Sequence, residues 1–527
     1  MSGPAAAHDT PHDPPRRIGE LARRGAERFG AAPAVIEVGR ELDYRALGRA
    51  VDAAADALGE LGVGPGDRAL IVNENCAAAI VLALAATLRH AWPVVVNARL
   101  SEREIEAIRT HCSPRRTFFT PEVSTDAAAH AARAGAQPLE LPEVGAVAVG
   151  ARDAAAAAEP VPDDPAREVA ALIYTSGTTG APKGVMLSHR NLLFAAGSGA
   201  GLRRLAPGDR VYAALPISHV FGFASVSLSA LLAGAALHYV PRFTPEGLAR
   251  ALAEEEISIL PGVPAMFARL LDHARRTGRT LSAPRARFLY AGGAPLDAQL
   301  KADVEATLGR PLHNGYGLTE TSPTVSQTRL DAPRADLSIG PPVPGIEVRI
   351  VDAAGRTVPA GTVGELHVRG PNIMLGYYRA PELTAEVLGA DGWFNTGDLA
   401  RQDADGHLFI AGRTKELIIR SGFNVYPIEV ESVLNQHPAV GQSAVVGRTV
   451  RGNEEVVAFV ELRAGASLDA GTLRAFAAER LAPYKQPAEI VVLEALPATA
   501  TGKVLKSRLR ELARRREAGI REPGGGG

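Results

Sequence analysis

The chain has 527 residues, more than one hydrophobic core organises, since single cores stop growing near ~250–300 residues. Hydrophobic residues make up 46% and charged residues 22%, an ordinary globular balance, and a formal net charge of −1 exerts no global pull toward nucleic acid or an anionic membrane. The two cysteines, Cys76 and Cys112, make neither a disulfide framework nor a zinc cage, so a reducing cytoplasm is the expected setting.

Residues 1–14 are rich in Pro, His and Asp without an apolar core, and read as disordered rather than as a signal peptide. Leu47, Val51, Ala54, Leu58 and Leu61 recur at spacings of four and three, which marks one face of a helix. Residues 69–72 and 94–96 read as buried strands, and Ser101 with Glu104 is a capping-box signature opening the next helix. This alternation implies a largely parallel sheet covered by helices, an α/β fold. The apolar runs near 77–86 and 224–237 are too short, or too rich in Ser and Gly, for a spanning helix of ~20 apolar residues, so no stable membrane span is expected. An Ala-rich stretch from 126 to 165 reads as a loose surface excursion.

The sheet pattern resumes at Val169 and leads into YTSGTTGAPKGV over 174–185. Its glycines let backbone N–H groups approach an anion. Its Ser and Thr hydroxyls add donors and Lys183 adds a point charge, a set suited to a polyphosphate. Pro182 stands where a Walker A motif has its second glycine, and 185–187 reads as extended, so the run is not a P-loop. Farther on, His219 lies in LPISHVFGF, within a span, 211–240, that holds no Asp, Glu, Lys or Arg. Read alone it is a core histidine, although Gly222 and Phe223 suggest the wall of a pocket for an uncharged group. NGYGLTE over 314–320 keeps its backbone open at Gly315 and Gly317. Tyr316 offers a face for a base, Thr319 a hydroxyl, and Glu320 a hard oxygen ligand suited to Mg²⁺. From Ile346 strands with Gly and Pro turns suggest a small β-rich subdomain. In WFNTGD, Asp398 follows a turn, where a carboxylate accepts two hydroxyls as a ribose presents them, or simply makes an Asx turn. The pattern changes at GRTK, 412–415, and beyond it short strands and two helices make an α+β module. Lys503 follows TATG on a loop, and 505–516 reads as a basic helix with a solvated end.

Seven of these motifs (174–185, 215–222, 314–320, 364–370, 393–398, 412–415 and 496–503) resemble, in order, those of the adenylate-forming superfamily of acyl-CoA synthetases, luciferases and nonribosomal adenylation domains. The resemblance spans most of 30–510 and is of the fatty-acid–CoA ligase type. It implies a large AMP-binding N-terminal domain of layered βα sheets over 15–412, a hinged C-terminal domain over 413–516 and a disordered tail over 517–527. It further implies that Thr175, Ser176, Gly177, Thr178, Thr179, Gly180 and Lys183 wrap the ATP phosphates, and that Gly293, Ala294 and Pro295 enclose adenine with Asn314, Gly315 and Tyr316. By the same resemblance Thr319 contacts the α-phosphate, Glu320 holds Mg²⁺, and Asp398 and Arg413 bind the ribose. His219 would line the acyl site near the carboxylate, Lys503 would bridge carboxylate and α-phosphate, Lys415 would be the hinge, and Gly422 would line the path of coenzyme A.

Members that activate amino acids carry an Asp just after the aromatic of the His219 motif, which SHVF lacks, so an amino acid is disfavoured. Val220, Phe221, Phe223, Ala224, Val226 and Leu228 point to an apolar tail, hence a medium- or long-chain fatty acid, with a benzoate- or cinnamate-like acid as the alternative. Coenzyme A is the expected acceptor, an acyl carrier protein is the alternative, and a homodimer is compatible. A P-loop kinase or ATPase has the wrong motif spacing, and a noncatalytic derivative would show losses at Lys503, Glu320 or Asp398, all of which are present.

Overall fold

The computed structural model describes residues 14–175, 182–450, 453–463, 465–498 and 504–517. An eight-stranded sheet runs in the order Thr324–Gln327, Leu312–Gly317, Phe288–Ala291, Ile259–Gly262, Arg210–Ala213, Ala236–Tyr239, Pro33–Glu37, Arg40–Asp43. Its six central strands are parallel and the two edge strands antiparallel. A five-stranded sheet is built on parallel strands Trp92–Asn97, Arg68–Asn73 and Arg116–Phe119. The expected α/β architecture is therefore present.

Between these sheets lies the helix Ala77–Leu88, whose residues from Ala77 to Thr87 are all buried. A helix apolar on every side belongs inside a core, and this one packs with Val35, Ile71 and Leu237 in the main cluster. Among the described residues no helix is long and apolar enough to cross a membrane. The capping box forms as expected, with the Glu104 amide donating to Ser101 Oγ and the Ser101 amide to the Glu104 carboxylate. Cys76 and Cys112 are unpaired, and burial pushes both thiols up to about 12, which leaves them inert.

The Ala-rich stretch is a correction to the sequence reading. It holds the helix Thr125–Arg133, capped by Ser124, and the antiparallel strands Gln137–Leu141 and Gly145–Val149. Alanine is a strong helix former, and its abundance masked the alternation of elements. The irregular residues after 149 are also anchored. The fully buried Arg68 donates to the carbonyls of Gly66, Cys112, Ser113 and Ala157, and Arg115 to those of Asp153 and Ala156.

The β-rich subdomain is a four-stranded antiparallel sheet, Glu347–Val351, Gly364–Arg369, Phe394–Gln402 and Leu408–Arg413, and its apolar cluster also takes in Val325, Tyr316 and Phe194 of the large domain. From Ile418 onward two further clusters cover the faces of the sheet Val440–Val450, Asn453–Leu462 and Glu489–Leu493. Among the described residues neither of these clusters takes a member from before Ile418.

Replacing Arg68 by Met removes the donor for four carbonyls. Each buried unpaired group costs ~1–3 kcal/mol, so thermal unfolding should show a loss of at least ~2 kcal/mol and proteolysis should speed up in 150–165. An unchanged midpoint would mean that other donors serve these carbonyls.

Candidate functional site

The strand Val169–Thr175 pairs with Lys183–Ser188, Thr175 standing opposite Lys183, so the glycine-rich run is pinched at its base. Ser176, Gly177, Thr178, Thr179 and Gly180 lie outside the described residues, as does Lys503. A third strand, Gly376–Tyr377, lies against Lys183–Ser188 and brings Tyr377 into the site. The Lys183 ammonium is 5.4 Å from the Tyr377 ring centroid, and the Tyr377 hydroxyl donates to Glu320 Oε1 at 2.8 Å. Burial, and then the charge of Glu320, hold the Tyr377 hydroxyl well above its usual pKa, so it remains the donor. Glu320 follows Thr319 in a 3₁₀ turn, Thr319–Thr321, and its backbone carbonyl accepts the Met374 amide. The second carboxylate oxygen of Glu320 accepts no hydrogen bond among the described residues. One oriented carboxylate with a free oxygen fits Mg²⁺, which usually takes few protein ligands and shares substrate phosphates. Tyr377 was not anticipated. Its signal was the tyrosine pair at 377 and 378 after the Gly370 turn.

Three separately recognised segments meet at Asp398. It stands opposite Arg413 across the two antiparallel strands, and Arg413 Nε reaches Asp398 Oδ1 at 2.9 Å. The Tyr316 hydroxyl donates to Asp398 Oδ2. Burial, and then the Asp398 charge, raise the Tyr316 hydroxyl well above its normal range. Asp398 is 3% exposed while the Arg413 side chain is 40% exposed, so the pair is open from its guanidinium side. Asn314 is held within its own turn. Its amide donates to the carbonyls of Leu337 and Ser338 and its oxygen accepts the Gly315 amide, so its polar atoms hold the turn instead of presenting to a base. Gly293, Ala294 and Pro295 follow the strand Phe288–Ala291, with Gly293 and Pro295 exposed.

His219 is exposed between buried Ser218 and Val220, not the enclosed core histidine that its apolar surroundings alone suggest. Its turn is clamped by Asn75, which sequence reasoning missed. The Asn75 amide donates to the Ala213 and Leu215 carbonyls, and its oxygen accepts the Ile217 amide, all at 2.9 Å. The polar NEN run closing an otherwise apolar strand was the available signal. The chain then enters a wide π-type helix, Phe221–Leu228. Phe223, Ala224, Val226 and Leu228 are at most 1% exposed and belong to the core. With Val220 at 5%, five of the six residues expected to meet an apolar tail lie in the core, because a helix turns most of its side chains away from any one wall.

At the lobe boundary the interactions change sides. Thr414 donates to Glu365 in the β-rich subdomain. Two residues on, Glu416 pairs with Lys506 at 2.9 Å, and Lys506 also pairs with Glu431 at 2.8 Å. Burial alone would lower the Lys506 pKa, but Glu431 and Glu416 outweigh it and raise it. Lys415 lies between, exposed, its carbonyl accepting from Arg510. Gly422 forms, with Ser421, a two-residue hairpin turn with positive φ at both positions, 52° and 82°, on the exposed side of the C-terminal module.

Residues 22–378 match the family described as AMP-binding enzyme, and 429–503 match the AMP-binding enzyme C-terminal domain. A feruloyl-CoA synthase of Amycolatopsis sp is 35% identical, covering 94% of this chain and 98% of its own. A long-chain-fatty-acid–CoA ligase of Bacillus subtilis (strain 168) is 38% identical over 66% of this chain and 62% of its own. The crystal structure of ATP-bound MatB from Rhodopseudomonas palustris superposes with a TM-score of 0.83 at 31% identity, covering 94% of this chain and 99% of its own.

Tyr377→Phe should keep the fold but release Glu320. Loss of a group orienting a metal ligand costs ~10–100-fold in affinity. Half-saturation by Mg²⁺, followed by protein fluorescence at fixed ATP, should therefore rise at least ~10-fold. An unchanged titration would remove Glu320 from the metal site.

Proposed function

The chain belongs to the AMP-binding enzyme family as an ATP-dependent, AMP-forming acid–CoA ligase, and from that premise we propose that its acid is a compact aromatic carboxylate activated as an acyl-adenylate. The observation that carries this reading is the position of Phe221. Two residues beyond exposed His219, it is half-buried and lies edge-on to Tyr290 at 5.5 Å, against Gly292. An aromatic wall set among glycines would frame a narrow slot suited to a flat ring. Feruloyl-CoA synthase, whose printed name gives an aromatic acid, supports it. A medium- or long-chain fatty acid is the second reading, favoured by the Bacillus relative.

A carboxylate is a poor electrophile. Its oxygen attacks the α-phosphorus of ATP, the bond to the β-phosphate oxygen breaks and pyrophosphate leaves. Both reactants are anionic, so the site must cancel their repulsion. Lys183 and the glycine-rich run take the phosphates, Asp398 and Arg413 the ribose hydroxyls, and Lys503 the carboxylate with the α-phosphate. Glu320, oriented by Tyr377, would hold the Mg²⁺ that supplies charge neutralisation at the phosphates. The thiol of coenzyme A then attacks the acyl carbon and AMP leaves. Lys503 serves only the first step. Rotation of the C-terminal module about Lys415 removes it and brings Gly422 to the thiol's path. Support for a pivot there is the opposed anchoring of Thr414 and Glu416 on either side of Lys415.

Lys503→Ala should reduce adenylation from free acid by ~10²-fold or more, as loss of an electrostatic stabiliser does. The same variant should convert supplied acyl-AMP to thioester at a rate close to the parent. Equal retention of both steps would refute the role of Lys503, and pyrophosphate release with alkanoic acids alone would refute the aromatic reading.

A further inference from the structure

A guanidinium is buried behind this slot without a counter-charge. Arg203 ends the helix His189–Arg203 and is 2% exposed. Its two terminal nitrogens donate to the carbonyl and hydroxyl of Ser225, and its Nε has no partner. No carboxylate pairs with it among the described residues. Burying a charge among neutral groups is costly, so its place asks for a reason beyond stability. That reason lies 4.9 Å away, where the guanidinium sits over the ring of Tyr290.

Tyr290 is boxed in. Arg203 covers its face, Phe221 meets it edge-on, and Phe288 stacks at 6.1 Å. Its hydroxyl emerges between two backbone turns of the site. It is 3.3 Å from where a Cβ on Gly292 would sit and 2.4 Å from where one on Gly315 would sit. Tyr290 is only 4% exposed, and glycine at both positions keeps side chains off its hydroxyl, which any side chain at 315 would displace. Burial raises the Tyr290 pKa and Arg203 pulls it back only in part, so the phenol stays neutral and keeps its proton. Arginine offers donors alone, and no oxygen of the described residues accepts that proton.

We infer that Tyr290, with Arg203 against its ring, is the specificity-determining residue at the far end of the acyl slot, and that it selects aromatic acids carrying a ring oxygen, a hydroxyl or methoxyl, which accepts its hydrogen bond. This deepens the aromatic-acid reading and rests on it. A plain ring or an alkyl tail would desolvate the hydroxyl and leave it unpaired, which is how a site built to hydrogen-bond a substrate group rejects an analogue lacking it. The cation over the ring polarises the phenol toward donation, which gives Arg203 a positioning role through Tyr290.

The test compares cinnamate and benzoate with their 4-hydroxy and 4-methoxy forms, and with octanoate, by kcat/KM for CoA-thioester formation. The full-length enzyme should favour the oxygenated member of a pair by ~10-fold or more. Tyr290→Phe, which keeps the ring's packing, should bring that ratio to within ~2-fold by lowering kcat/KM for the oxygenated acid and relieving the cost of the unpaired hydroxyl for the plain one. Arg203→Met should narrow the ratio as well, mainly through KM for the oxygenated acid. Equal rates on plain and oxygenated acids in the parent, or an equal loss on both in Tyr290→Phe, would overturn the proposal and leave the aromatic reading standing. Turnover confined to octanoate would overturn both.

Discussion

The cleft is tied together by one buried carboxylate. Asp398 accepts Arg413 on one oxygen and Tyr316 on the other, and these residues come from two different sheets. A charge this enclosed must keep its partners, because removing either leaves an uncompensated ion in the interior. The β-rich subdomain is therefore fixed against the end of the large parallel sheet. The other side of the same guanidinium is left partly exposed.

From this point the chain runs into a short stretch whose two ends have opposite loyalties. Arg413 and Thr414 are bound to the β-rich subdomain, and Glu416 is bound through Lys506 to the C-terminal module. Each end is an ionic or hydrogen-bonded anchor, and the apolar clusters from Ile418 onward stay on their own side. Such an arrangement would let φ/ψ change fall on one exposed residue without breaking either core. The proposed two-step reaction would use this freedom, since a group that brings two anions together would obstruct the thiol that follows.

Much of this was legible in the residues. The helix face from Leu47 to Leu61, the capping box at Ser101 and the strands of the C-terminal module all announce themselves by period or cap chemistry. The glycine turns and their hydroxyl, lysine and carboxylate companions marked the candidate site. What stayed hidden depends on distant parts of the chain. Tyr377 acquires meaning only when its strand pairs beside Lys183–Ser188, and Asn75 only when its amide reaches 140 residues forward to Leu215. Arg203 and Lys506 look like ordinary helix cations until burial is known. The apolar run after His219 is a related case: composition does not say which side of a helix faces the acid.

The central claim is that one lobe turns about Lys415 between two chemical steps. Lys415→Pro, which locks φ at that residue, should leave ATP–pyrophosphate exchange within ~3-fold of the parent while thioester formation from acyl-AMP falls ~100-fold or more, as expected when a conformational step is blocked. A variant that makes thioester at the parental rate would contradict the account.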